Sequence, residues 1–269
     1  MASLAERRPG GGVAPALEAR DLTLSWDGGV HIVVEGISLS VCSGEVVCLV
    51  GKSGCGKTTI LHALSGLTEP LQGRVLLHGA DVSGQPGHVS YMLQKDLLVP
   101  SKRVIDNVCL PLVIGGMPKS EAHAKAAPLF ERFGLEGTER QWPSQLSGGM
   151  RQRAAFLRTY LMGNDVALLD EPFSALDAIT RTDMRTWYCQ MARELGLASV
   201  VITHDVDEAV TMADRIYVLE GNPRGGVPTV VAGEVPIARE QVLAAEAVDD
   251  FSLTTAYVAC KRQVLELLG

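Results

Sequence analysis

One stretch constrains this chain more than any other. Residues 45–50 form an apolar run, and Gly51-Lys52-Ser53-Gly54-Cys55-Gly56-Lys57-Thr58 follows it directly. The run reads as a parallel strand buried on both faces, and residues 58–67 read as a helix. The spacing between them is G-x-x-x-x-G-K-[ST], a turn whose backbone N–H groups point inward at phosphate oxygens. Glycines permit the tight backbone, and the helix N-terminus adds partial positive charge. In such a loop Lys57 reaches the β- and γ-phosphates and the Thr58 hydroxyl can ligate Mg²⁺. Gly51, Ser53, Gly54, Cys55, Gly56, Lys57, Thr58 and Thr59 are therefore the candidate nucleotide-binding residues. Cys55 lies near a helix N-terminus, where thiol pKa tends to fall, so alkylation is expected to block the site and bound nucleotide to protect it.

A phosphate loop needs carboxylates for the metal and for water. Val166-Ala167-Leu168-Leu169-Asp170-Glu171 is an apolar strand ending in two acids, which packing alone does not require. Asp170 suits metal support, and Glu171 suits polarisation of an attacking water.

Around these motifs the chain alternates strand and helix. Residues 17–26 and 31–41 read as strands joined across Asp27-Gly28-Gly29, and residues 74–78 and 89–93 as further strands. Between about 95 and 160 no strand pattern appears; residues 104–114, 120–133 and 144–161 have helical spacing. Strands 166–169, 199–203 and 215–219 then alternate with helices 176–195 and 206–212. The expected architecture is α/β, with an N-terminal antiparallel β-subdomain and an α-helical subdomain inserted in the core. Residues 1–16 read as a flexible leader and 17–235 as the folded unit. Residues 236–269 read as a short tail with helices at 239–247 and 254–268, after a Pro/Gly-rich link from 221.

Composition removes several classes. With 269 residues and 46% apolar content the chain can bury a core and is not generally disordered. The longest stretch free of charged and hydrophilic side chains, 108–118, contains Pro111, Gly115 and Gly116 and is too short to span a bilayer. A net charge of −7 argues against a nucleic-acid partner. The six cysteines form no C-x-x-C pair, and Arg7 and Arg8 precede no apolar segment, so a reducing, cytosolic compartment is expected.

A third motif, Leu146-Ser147-Gly148-Gly149-Met150-Arg151-Gln152, resembles the signature sequence of ABC transporter ATP-binding subunits. That resemblance implies a RecA-like P-loop NTPase core, ATP as substrate and Mg²⁺ as its metal. It implies roles for Gln94 in sensing the metal and attacking water, and for His204 as the switch histidine at the γ-phosphate. Glu171, His204 and Gln94 are then the catalytic set, and Thr58, Gln94 and Asp170 the metal set. Ser174-Ala175-Leu176-Asp177 fits the loop that crosses to a second subunit, whose nucleotide Ser147, Gly148, Gly149 and Asp177 would face. Trp26 has two readings, a core aromatic on a strand or a ring stacked on adenine; the resemblance implies stacking. Lys52 stands where many members have proline.

The family also implies partners: a second copy or a similar ATPase subunit, two transmembrane permease subunits and an extracytoplasmic solute-binding protein, with this chain on the cytoplasmic face of the membrane. Tyr91-Met92-Leu93-Gln94-Lys95-Asp96-Leu97-Leu98-Val99-Pro100 is similar to the nitrate/sulfonate/taurine importer group, which includes importers of thiamine-precursor pyrimidines. The alternatives are the ATPase of an exporter or lipid-handling complex, and a non-transport ABC ATPase. A P-loop GTPase or kinase is disfavoured, because the N-K-x-D motif is absent and residues 146–152 would be unexplained.

Overall fold

The computed structural model describes residues 14–238 and 250–269. Its strands are β1 (Leu17–Ser25), β2 (Ile32–Val41), β3 (Val46–Gly51), β4 (Gln72–Leu77), β5 (Ala80–Asp81), β6 (Ser90–Met92), β7 (Val166–Asp170), β8 (Ala198–Thr203), β9 (Arg215–Asn222) and β10 (Val227–Pro236). Its helices are α1 (Lys57–Leu64), α2 (Val104–Val108), α3 (Leu110–Ile114), α4 (Lys119–Arg132), α5 (Gly148–Tyr160), α6 (Ala178–Leu195), α7 (Val206–Met212) and α8 (Thr255–Leu268). The strands join in the order β5-β4-β1-β2-β10-β9-β3-β8-β7-β6. The half from β9 to β6 is parallel, and the half from β5 to β2 is antiparallel.

Alternation along the parallel strands divides two cores. Val46, Cys48 and Val50 of β3 face one core, and Val47 and Leu49 face the other. Neither face meets water, which is why the sequence shows continuous apolar runs there. The second core holds α1 through Ile60, Leu61 and Leu64, together with Leu22, Leu24, Val34 and Ile37 of β1 and β2. Helix α1 is thus enclosed by the antiparallel strands on the same side of the sheet as the parallel strands' Val47 and Leu49. The first core takes the inserted helices α2 to α5, with Phe130, Phe133 and Phe156, and also α6 and α7. The inserted helical subdomain and the antiparallel β-subdomain are both present, as expected.

Four boundaries differ from the sequence reading. Residues 104–114 form two short helices, because Pro111 has no N–H to continue the ladder past Cys109. The helix expected from 144 starts at Gly148; Pro143–Gln145 is a separate 3-10 turn, and Ser147 is the cap. The link expected after 221 contains β10, which pairs antiparallel with β9 and meets β2 at Thr229–Val34. Its Pro and Gly residues mask a strand that forms a hairpin with β9 and meets the distant β2. The C-terminal stretch does not stand apart: Val264 of α8 is buried in the first core with Ile216 and Val218. The helix expected at 239–247 lies outside the described residues.

Candidate functional site

Strand β3 delivers the chain into the phosphate loop at Gly51. A Cβ there would lie 2.8 Å from Cys55 Sγ and 2.9 Å from the Leu219 carbonyl, so only glycine lets the loop close on β9. Gly56 caps α1 with φ +97, a left-handed conformation. No side chain caps α1 and no acidic residue lies in its first turn, so nothing competes with an anion for its leading N–H groups. Thr229 of β10 donates its hydroxyl to the Cys55 carbonyl and ties the loop to the sheet.

Lys57 is buried, and its Nζ donates to the carbonyls of Gly51 (2.7 Å) and Lys52 (3.1 Å). An ammonium has three donors, so one remains for a phosphate oxygen. Cys55 overturns the sequence expectation. Its side chain is buried, and burial pushes the thiol pKa up despite the nearby Lys57 charge. Cys55 is a packing residue within the loop.

Strand β7 is hydrogen-bonded between β6 and β8 and ends beside α1. There Thr58 Oγ1 donates to Asp170 Oδ2 at 3.1 Å, and the Tyr91 hydroxyl from β6 reaches the same oxygen at 3.5 Å. Burial raises the Asp170 pKa and adjacent Glu171 adds to it, while the Thr58 hydrogen bond opposes them. Among the described residues no group of three or more His, Cys, Asp or Glu could hold a metal. A pair of hard oxygens, one hydroxyl and one carboxylate, fits Mg²⁺, which keeps several waters and relies on substrate phosphates for its remaining ligands.

Glu171 follows with φ +44, rare for a residue other than glycine. Its N–H still bonds the Ile202 carbonyl of β8. Its carboxylate is gripped from two sides: Oε1 lies 3.1 Å from His204 Nδ1, and Oε2 accepts from Gln94 Nε2 at 3.2 Å. Three candidate catalytic residues from distant parts of the chain therefore meet at one carboxylate. Ser174 completes the turn, accepting from Gln94 at 3.3 Å and donating to the Glu171 carbonyl at 2.9 Å.

Trp26 is 55% exposed at the end of β1, which excludes the core reading. Its Nε1 lies 3.5 Å from Thr59 Oγ1, so the ring overhangs the first turn of α1. Ser147, Gly148, Gly149 and Asp177 form a separate constellation. Ser147 caps α5 by accepting from Met150 N at 3.2 Å, and Asp177 caps α6 through the Thr180 N–H and hydroxyl. A Cβ on Gly149 would come within 3.0 Å of Thr180, so glycine is what allows α5 to approach α6.

Tyr91, Ser174 and Thr229 were not singled out as site residues. Ser174 and Tyr91 lay inside recognised motifs, but Thr229 carries no local signal. Only the pairing of β6 with β7, and of β10 with β2, brings Tyr91 and Thr229 in.

A strand–loop–helix phosphate cradle, a strand-end acid pair and a buried parallel sheet define a P-loop nucleotide-hydrolysing cassette. The family model described as ABC transporter matches residues 34–174. The chain is 42% identical over 198 residues to formylaminopyrimidine import ATP-binding protein ThiZ of Halalkalibacterium halodurans, covering 74% of this chain and 77% of that protein. It is 41% identical over 192 residues to aliphatic sulfonates import ATP-binding protein SsuB 1 of Shouchella clausii, covering 71% and 73%. Taurine import ATP-binding protein TauB of Pseudomonas aeruginosa is 38% identical over 206 residues, covering 77% and 78%. Among solved structures, CbiO1 from Clostridium perfringens shares the fold, with TM-score 0.74 at 22% identity, covering 93% of this chain and 99% of that one. The dimeric cassette MJ0796 superposes with TM-score 0.68 at 26% identity, covering 82% and 98%. The chain belongs to the ABC transporter family. Its activity is ATP hydrolysis coupled to transport.

Proposed function

We propose that this chain drives uptake of a small solute as the ATPase subunit of an ABC importer, with Glu171 as the residue that activates water. The observation that carries this reading is the grip of Gln94 and His204 on the Glu171 carboxylate, next to the Thr58–Asp170 pair. The loop N–H groups and Lys57 hold the β- and γ-phosphates, and Trp26 stacks on adenine. Thr58, Asp170 and Gln94 would hold Mg²⁺, which when bound would neutralise charge on the phosphate oxygens. Glu171 accepts the proton of the water that attacks the γ-phosphorus, and the bond to the leaving ADP oxygen breaks. Gln94 and His204 keep the accepting carboxylate aimed, and His204 also faces the γ-phosphate.

One chain supplies donors to only one side of the γ-phosphate. We assign the other side to Ser147, Gly148 and Gly149 of a second copy, with Asp177 beside them, in a head-to-tail dimer. ATP then favours the closed dimer and hydrolysis releases it, a population shift that two permease subunits convert to transport at the cytoplasmic face of the membrane. Among the described residues no helix is long and apolar enough to cross a membrane, consistent with the permeases being separate chains. The printed names of relatives support import, of an anion such as a sulfonate or taurine, or of a formylaminopyrimidine. The test is reconstitution with its permeases in vesicles. ATPase stimulation by one solute-binding protein with its solute, together with solute uptake, is expected; extrusion with no binding-protein dependence would overturn import.

A further inference from the structure

Helix α8 has no role in the site described so far, yet it bonds the segment that follows His204. Tyr257 and Lys261 stand four residues apart and so share one face of α8. Both converge on a single atom, Asp207 Oδ1: the Tyr257 hydroxyl donates to it at 2.5 Å, and Lys261 Nζ lies 2.6 Å from it. Asp207 is in the first turn of α7, three residues after His204.

The connection from Asp207 to His204 is short and stiff. β8 ends at Thr203, His204 follows, and Asp205 caps α7 by accepting from the Glu208 N–H at 3.1 Å. The Asp205 N–H in turn bonds the Thr203 hydroxyl at 3.0 Å. His204 therefore has little freedom that is independent of the N-terminus of α7. That end is held from α6 by Arg181, 3.7 Å from Asp205, and from α8 by the pair on Asp207. α8 itself is anchored to the sheet, with Val264 buried, Leu267 against Gly233 of β10, and the Phe251 ring edge-on to Tyr257 at 5.9 Å. A loose surface ion pair contributes little. Here two donors from an anchored helix share one acceptor, which fixes position rather than merely adding charge.

We propose that α8 is a clasp on the switch segment, with Tyr257 and Lys261 acting as positioning residues that hold His204 against Glu171 through Asp207 and α7. The clasp rests on the reading of His204 as the switch residue, and the test separates the two. In the full chain assembled with its permeases, the double variant Tyr257→Phe/Lys261→Met is compared with the wild type. The kcat for ATP is expected to fall about three- to tenfold with KM changed less than about twofold. Amide exchange is expected to rise in residues 204–212 and to stay unchanged in residues 17–41. Lys261→Arg should retain most of the activity, and adding Asp207→Asn to the double variant should cost nothing further. Wild-type kcat in the double variant overturns the clasp, whether or not exchange rises. So does a kcat loss matched by equal losses of ATP affinity and thermal stability. Full turnover by His204→Ala would instead refute the switch reading itself.

Discussion

Glu171 Oε1 lies 3.1 Å from His204 Nδ1, although the two residues come from the ends of different strands. Adjacent pairing of β7 and β8 produces this contact, since Asp170 is in register with Ile202. Glu171 and His204 are then the first residues past two neighbouring strands. A carboxylate held this way is oriented before any substrate arrives.

The amide variant Glu171→Gln keeps the shape and loses the proton acceptor. ATP binding is expected to persist while turnover falls by about a hundredfold or more. The variant should accumulate as an ATP-bound dimer on size-exclusion chromatography. Near-normal hydrolysis would remove Glu171 from its assigned role.

For Trp26, exposure beside Thr59 predicts a contribution to nucleotide affinity and none to folding. Trp26→Ala should weaken ATP binding about three- to tenfold by calorimetric titration, and Trp26→Phe should retain most of it. Unchanged affinity in the alanine variant would make the ring a bystander.

Cys55 is expected to resist alkylation. Its thiol is buried and its pKa is raised, so little thiolate forms at neutral pH. Site-resolved labelling at pH 7.5 should modify Cys55 slowly with or without ATP. Fast labelling that ATP blocks would restore the reading that local sequence suggested.

Arg215 joins the two halves of the sheet. It bonds Glu45, Glu234, the Ser40 carbonyl and the Tyr217 hydroxyl, and it is largely buried. Burial alone would lower its pKa, but the Glu45 hydrogen bond and charge outweigh burial and hold it above the ordinary value. Arg215→Met strands the Glu45 carboxylate and should cost about 3 kcal/mol in urea denaturation. Arg215→Met/Glu45→Gln should recover part of that loss.

At Asp207, the Lys261 and Tyr257 bonds hold the carboxyl below its ordinary 3.8. A depressed carboxylate stabilises the fold above its unfolded pKa and loses that contribution as pH falls through the folded value. Protection of α8 amides should therefore drop below about pH 4. An Asp207→Asn chain should show a flat profile over the same range.

Much of this was written locally. The phosphate loop and the acid pair at 170–171 depend on residues a few positions apart, so spacing sufficed. The parallel strands were legible because burial on both faces demands continuous apolar runs. β10 was not, since its Gly and Pro obscure the pattern and its pairing with β2 depends on distant residues. The exposure of Trp26 and the burial of Cys55 could not be read either, because each depends on what the rest of the chain places above that position.

By itself the sequence determined which chemistry this protein carries: a phosphate cradle, two strand-end acids and the glycines that let backbone approach. Only the tertiary structure decided which side chains share a carboxylate. Gln94 and His204 meet on Glu171, Thr58 and Tyr91 on Asp170, and Tyr257 and Lys261 on Asp207. The reason is physical. Motifs encode local backbone geometry, whereas these meetings depend on strand order and helix packing, which the two cores set together.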